Sequence, residues 1–154
     1  MDLAMIREMY EEGNFSIEES FDNWEEAVSA SVRPFIKNGI VMPEYAERVV
    51  DMVHEYGPYI CIAPHIAIPH AMAPELVLSE EAHICFMKVN TPVVFGEGET
   101  EHSELFFALA APSGQAHLEG LQYLVELLEQ DGVTEALLAA KTDEDFRQLL
   151  SITE

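Results

Sequence analysis

Apolar residues recur at helical spacing in two segments of the first third of the chain. In the first segment, Asp22 is a suitable N-cap, positions 24, 27, 28, 32, 35 and 36 are apolar, and Asn38-Gly39 ends the pattern. Pro34 lies near its end, so we expect a kink or an early stop there. In the second, a stripe at positions 45, 49, 52, 53 and 56 follows Pro43, a residue favoured at the first helical position. Both patterns predict amphipathic helices.

Three short runs rich in β-branched and aromatic residues come next, at 59–68, 82–89 and 104–111. Runs of this length and composition predict buried strands. Residues 90–103 contain a proline, two glycines and several acids, which predicts a loop with a short extended piece at 93–95. Beyond residues 112–114 the pattern is helical again. It predicts a helix to about 131, another over 133–140, and a last one from a Thr142–Asp145 capping pair.

The order of these elements bears on the fold class. Helices, then strands, then helices predict an α/β or α+β fold, with a mixed sheet covered by helices on its faces. A length of 154 residues with 49% apolar residues suffices for one core, so we expect residues 1–154 to form a single layered domain.

Charge narrows the classes of partner. Seven Lys and Arg stand against 29 Asp and Glu, giving a net charge of -22, so nucleic acid and anionic membrane surfaces are poor partners. The chain shows neither a signal-peptide pattern nor an apolar run long enough to span a membrane. Cys61 and Cys85 lie inside apolar runs, as free thiols of a reducing compartment do. We therefore expect a cytoplasmic protein.

Two of the six histidines stand at the ends of predicted elements. His70 directly follows an apolar run and Pro69, which would hold it on a stiff strand-to-loop corner, as an aimed nucleophile requires. His117 falls in the first turn of the helix after Ser113-Gly114-Gln115, where free backbone N–H groups favour anions. If the fold brings the two together, they form a phosphate site with one imidazole as acceptor and the other as donor.

Other interpretations of the histidines remain open at this level. His70 and His117 could be polar residues at element ends without further role. His65, His70 and His117 could supply three nitrogen ligands to a metal, but no Cys, Asp or Glu stands at the usual ligand spacing, so we expect no metal. The glycine pattern of a nucleotide phosphate loop is missing, so a phosphoryl group would not come directly from ATP.

Several motifs together resemble a known family. They are Gly57-Pro58-Tyr59, Ile62-Ala63-Pro64 and Ala67-Ile68-Pro69-His70-Ala71, supported by Trp24-Glu25-Glu26-Ala27, Pro92-Val93-Val94-Phe95-Gly96, Leu109-Ala110-Ala111-Pro112 and His117-Leu118-Glu119. This set resembles the enzyme IIA (EIIA) domains of the bacterial sugar phosphotransferase system (PTS), mannitol/fructose type, and within them the ascorbate branch. The resemblance covers most of the chain and implies a mixed sheet between helices.

The resemblance also implies a function. His70 matches the residue that accepts a phosphoryl group from the carrier protein HPr and passes it to a cysteine of a cognate enzyme IIB (EIIB). Sugar uptake then proceeds through a separate membrane component. His117 matches the second histidine, which supports the phosphorylated state. No nucleotide, metal or other cofactor is implied, and the substrate would be ascorbate or a related sugar acid or pentitol.

Two further expectations concern partners. HPr and EIIB would dock around His70, and Ile66, Ile68 and Met72 are candidates for the apolar part of that surface if they are exposed. As an alternative to transport, the chain could be a stand-alone regulatory module whose phosphorylation state controls a protein partner. A third interpretation is a binding module that keeps the fold without the phosphate chemistry.

Overall fold

The computed structural model describes residues 1–152. Its helices and strands, in chain order, are α1 (Ala4–Glu12), β1 (Phe15–Glu18), α2 (Trp24–Lys37), α3 (Glu44–Tyr56), β2 (Cys61–Ala63), β3 (His65–Ala67), β4 (His83–Val94), β5 (His102–Ala110), α4 (Gly114–Glu129), α5 (Val133–Ala139) and α6 (Asp143–Leu149). A single 3-10 turn, Pro74–Leu76, lies between β3 and β4. Within residues 1–152, no helix is both long and apolar enough to cross a membrane.

The strands form one mixed five-stranded sheet in the order β1-β4-β5-β3-β2. Strand β1 runs parallel to β4 and β3 runs parallel to β5, whereas the β4–β5 and β2–β3 pairs are antiparallel. Long strands β4 and β5 form the centre of the sheet. A mixed sheet in an α/β arrangement confirms the fold class predicted from the sequence.

Helices cover both faces of this sheet. Along β5, Leu105, Phe107 and Leu109 pack with buried residues of α1, α4, α5 and α6. The intervening Ala108 and Ala110 pack on the opposite side, against α2 and α3. Alternation with a period of two is expected for a strand that is buried on both faces.

The composition of the apolar run at 59–68 predicted a single strand, and this prediction is wrong. The run contains the two short antiparallel strands β2 and β3, joined at Pro64. His65 has φ +74°, in the left-handed region that non-glycine residues rarely adopt. Pro64 followed by a residue with positive φ is the pairing that a type II turn requires, so the chain reverses within the run.

The prediction of a loop over 90–103 is wrong at both ends. Strand β4 continues through Pro92 to Val94, and β5 already begins at His102. The pairing of the two strands is irregular between Lys88 and Val93, which accommodates a proline within a strand. The loop between them is therefore short.

The predicted and observed helix ends differ less than the predicted and observed strands. Asn23 rather than Asp22 is the N-cap of α2, because its side chain accepts the N–H of Glu26 at 2.9 Å. Helix α2 continues past Pro34 to Lys37, and Pro43 precedes α3 as its cap. The pattern did not reveal α1 and β1, which come before these helices. The predicted capping pair of α6, Thr142 and Asp145, is present with both of its hydrogen bonds.

Candidate phosphoryl-transfer site

The backbone is anchored up to the residue before His70. The N–H of Ile68 donates to the Ile60 carbonyl at 2.8 Å, and the N–H of Leu109 donates to the Pro69 carbonyl at 2.9 Å. Ile68 and Pro69 are therefore bound to neighbouring segments on opposite sides, although β3 itself ends at Ala67. Since Pro69 is also buried and fixed in φ, His70 leaves the sheet from a rigid support.

The imidazole of His70 is oriented by its own chain. Its Nδ1 lies 2.6 Å from the carbonyl oxygen of Ile68. A carbonyl oxygen can only accept, so Nδ1 must carry the hydrogen. In the neutral ring the lone pair is then on Nε2, which is the unprotonated nitrogen.

His117 lies beside this ring. It belongs to α4, whose N-cap Ser113 accepts the N–H of Ala116 at 3.2 Å. The centroids of the His70 and His117 rings are 5.0 Å apart, with the planes inclined by 45°. The structure thus brings together the two histidines that the sequence singled out, next to a helix start whose first N–H groups have no intrahelical acceptor.

Burial favours the neutral form of both imidazoles. Burial lowers the pKa of His70 and the nearby His117 lowers it further, against the opposing hydrogen bond to the Ile68 carbonyl. Burial likewise lowers the pKa of His117. Near pH 7, His70 therefore has a free lone pair, and a neutral His117 can donate one hydrogen bond.

Two tyrosines complete the surroundings of His70. The Tyr59 hydroxyl donates to the carbonyl of His70 itself, and its ring meets the imidazole edge to face with centroids 5.2 Å apart. The buried Tyr45 hydroxyl accepts the N–H of Ala71 at 3.1 Å. No sequence signal pointed to this role for Tyr45, which is simply part of the apolar stripe of α3. Tyr59 lies in the Gly57-Pro58-Tyr59 motif, but the sequence assigned no role to its hydroxyl.

The predicted docking residues do not form one surface. Ile66 and Ile68 are only 5% and 1% exposed and belong to the core that packs with α1 and α4. The expectation that they contact partners is therefore wrong, because both side chains pack into the interior of the protein. Met72 is 48% exposed, and Leu118, next to His117, is 59% exposed. These two side chains are available at the surface.

His65 does not join the pair. Its Nδ1 lies 2.9 Å from Glu104 Oε1, so this ring at the start of β3 is paired with a carboxylate of β5. Among residues 1–152 there is no group of three or more His, Cys, Asp or Glu side chains able to hold a metal ion. Cys61 and Cys85 are both free thiols, and burial raises the pKa of Cys61 to about 11.

The chain matches a known protein family over most of its length. A sequence model described as the phosphoenolpyruvate-dependent sugar phosphotransferase system, EIIA 2, matches residues 8–152. The chain belongs to this family. EIIA components of the PTS are phosphotransferases, and the match extends over both His70 and His117.

Individual relatives agree with the EIIA assignment. The ascorbate-specific PTS system EIIA component of Escherichia coli K12 is 27% identical over 133 residues, which cover 86% of this chain and 85% of that protein. The crystal structure of PtxA from Streptococcus mutans, assigned as a PTS IIA protein, is 30% identical with a TM-score of 0.79, covering 98% and 94% of the two chains.

A third structure resembles this EIIA chain in fold. It is the complex of enzyme IIA and phosphorylated enzyme IIB for mannitol from Escherichia coli. The matched chain has 24% identity and a TM-score of 0.74, with coverage of 90% of this chain and 94% of that one.

Proposed function

We propose that this EIIA chain is a cytoplasmic phosphocarrier that takes a phosphoryl group from phospho-HPr on His70 and passes it to a cysteine of a cognate EIIB. The observation that carries the proposal is the pairing of a neutral, oriented His70 with His117 at 5.0 Å between ring centroids. Family membership supplies the class of reaction, and the site geometry supplies the residues.

The first step forms one bond and breaks one. The Nε2 lone pair of His70 attacks the phosphorus of phospho-HPr as the bond from phosphorus to the donor's imidazole breaks, with the electron pair returning to that imidazole. Phosphoryl transfer of this kind depends mainly on in-line positioning and on stabilising charge on the equatorial oxygens. The Nδ1–H bond to Ile68 keeps the reacting nitrogen unprotonated and aimed outward.

His117 would stabilise the phosphorylated state. As a neutral imidazole it donates a single N–H, which fits a phosphoryl oxygen on the adjacent His70 ring. Phosphorylation of His70 adds negative charge beside His117, and a nearby anion favours the protonated form of a histidine. A second N–H donor then becomes available at the moment when the charge is present. In the second transfer, an EIIB thiolate attacks phosphorus and the electron pair returns to His70 Nε2.

The partners follow from the same family. The mannitol-type fold relative is seen in complex with a phosphorylated EIIB, which supports an EIIB as acceptor for this chain. Phospho-HPr is proposed as donor because the family is phosphoenolpyruvate-dependent. Met72 and Leu118 are the exposed apolar side chains that we expect at the docking surface. The ascorbate-specific relative favours ascorbate, or a related sugar acid or pentitol, as the substrate of the transport system.

A mass spectrum after incubation with phosphoenolpyruvate, enzyme I and HPr tests the proposal. We expect one acid-labile phosphoryl group on the wild type and none on His70→Ala. His117→Ala should be labelled slowly and should transfer poorly to EIIB. His102→Ala, a change at an exposed histidine, is the matched control and should behave as wild type.

The outcomes separate the candidate functions. Normal labelling of a folded His70→Ala protein would overturn the assignment of the acceptor. A wild type that is labelled but gives no phosphoryl group to any purified EIIB would favour the regulatory alternative. A folded wild type that accepts none would favour a binding module.

A further inference from the structure

Two tyrosine hydroxyls hold the backbone at and after His70. The Tyr59 hydroxyl donates to the His70 carbonyl. The Tyr45 hydroxyl accepts the Ala71 N–H at 3.1 Å and donates to the Leu109 carbonyl at 2.8 Å. Because the Leu109 N–H donates to the Pro69 carbonyl, each of the three residues 69, 70 and 71 has a backbone group fixed from outside the segment.

Leu109 is the common anchor of this arrangement. Its N–H binds the residue before His70, and its carbonyl is joined through Tyr45 to the residue after it. Leu109 is also near the end of β5, which leads into α4 and His117. The bonds to Leu109 therefore tie the His70 backbone to the strand that precedes the second histidine.

Neither hydroxyl is placed for a direct chemical role. Tyr45 is completely buried, and its hydroxyl is hydrogen-bonded to the Ala71 N–H and to the Leu109 carbonyl. Burial raises its pKa to about 12, so the phenol stays protonated and continues to donate at neutral pH. The Tyr59 ring is perpendicular to the imidazole, while its hydroxyl donates to the main chain.

We propose that Tyr45 and Tyr59 are positioning residues for phosphoryl transfer, whose hydroxyls fix residues 70 and 71 so that His70 Nε2 is aimed at the incoming phosphorus. This inference rests on the proposed phosphocarrier function. In-line attack tolerates little misalignment, and a displacement of about 1 Å can cost on the order of a hundredfold in rate. Loss of one backbone bond would let the imidazole rotate away from its contact with Ile68.

Phenylalanine variants isolate the hydroxyls, because the rings and their packing remain. The test compares Tyr59→Phe and Tyr45→Phe with the control Tyr10→Phe, which removes a hydroxyl bonded to Asp143 at 2.6 Å between α1 and α6. Single-turnover transfer from labelled phospho-HPr is measured at several HPr concentrations, together with the urea stability of each protein. Tyr59→Phe is expected to disturb folding less than Tyr45→Phe, because Tyr59 is only partly buried.

We expect Tyr59→Phe and Tyr45→Phe to lower the saturating transfer rate constant about tenfold or more, with the half-saturating HPr concentration within about twofold of wild type. Tyr10→Phe should keep the wild-type rate constant. Nitrogen-15 spectra of the His70 ring give a second readout. The wild type should show the Nδ1–H tautomer, and Tyr59→Phe should show a mixture of both tautomers.

The results distinguish this inference from the proposal on which it rests. Wild-type rate constants in folded Tyr59→Phe and Tyr45→Phe, with an active wild type, would overturn the positioning role alone. Variants that lose stability but keep the wild-type rate would overturn it as well, because the hydroxyls would then only satisfy buried groups. A wild type that accepts no phosphoryl group would overturn both.

Discussion

Gly120 of α4 lies directly against the side chain of Leu109 on β5. A Cβ atom built at Gly120 would be 2.7 Å from Leu109 Cδ1, closer than real side chains approach. Glycine at this position therefore allows α4 to pack close to the sheet. Since His117 lies one turn earlier on α4 and the Leu109 N–H binds the Pro69 carbonyl, this contact helps to set the spacing of His117 from His70.

Gly120→Ala should disturb that spacing. Alanine is the better helix former by about 1 kcal/mol, but the buried Leu109 must shift to admit the methyl group, and overpacking costs about 1–3 kcal/mol. We expect a lower free energy of unfolding in urea and slower phosphoryl transfer. A Cβ atom built at Gly114, in the same helix, has no neighbouring atom within 4 Å. Gly114→Ala should therefore be at least as stable as wild type. Equal stability and rate in Gly120→Ala would contradict the role of the close contact.

Transfer and stability should both depend on pH through His70. Burial lowers its pKa, so its lone pair stays available below the pH at which a free histidine is half protonated, about 6.5. The rate constant for transfer should be level from pH 8 to about 6.5 and should decrease only at lower pH. A quench-flow pH profile that already declines above that value would contradict the neutral ring.

The stability change has the same origin. A folded-state pKa below the unfolded value means that the unfolded chain binds more protons as the pH falls below about 6.5. The free energy of unfolding should therefore decrease from there through the lowered pKa of His70. His70→Gln should show a weaker pH dependence in urea titrations between pH 7.5 and 5.5. His102→Gln, which replaces an exposed histidine, is the control for loss of an imidazole.

Lys88 is a buried lysine whose ammonium caps a helix. It is 1% exposed, and its Nζ donates to the carbonyls of Leu137 at 3.2 Å, Leu138 at 2.9 Å and Ala140 at the end of α5. Lys88→Met keeps most of the aliphatic stem but leaves these carbonyls without a charged donor. We expect a loss of about 1.5–3 kcal/mol in the free energy of unfolding. The exposed Lys37→Met should change it by less than about 0.5 kcal/mol.

The turn at His65 can be tested by a pair of substitutions. His65→Gly and His65→Ala both remove the pairing with Glu104, but only alanine retains a Cβ at φ +74°. We expect the glycine variant to be more stable than the alanine variant by about 1–2 kcal/mol in urea. Both should transfer phosphoryl groups at the wild-type rate, because the His65 ring pairs with Glu104 and is not part of the His70–His117 pair. Equal stability of the two would contradict the strained backbone.

Local chemistry made part of this protein predictable from its sequence. The periodic stripes of α2, α3 and α4, the Thr142–Asp145 cap and the strand residues of β5 depend on neighbours a few positions apart, so they could be recognised in the chain. His70 could be singled out for the same reason, because Pro69 and the apolar run fix its local geometry. The motif around it then indicated the EIIA family, to which the chain belongs.

Contacts between distant segments decided the rest. The reversal at His65 accompanies the pairing of β2 with β3, and the extension of β4 through Pro92 accompanies its pairing with β5. No local pattern encodes either pairing. The burial of Ile66 and Ile68 follows from their packing into one core cluster of the assembled fold, and the sequence could not specify this. Only the tertiary structure brings His117 to His70 and places the Tyr59 and Tyr45 hydroxyls on the backbones of His70 and Ala71. Hydrogen bonds between remote residues form only when the sheet and its helix layers assemble.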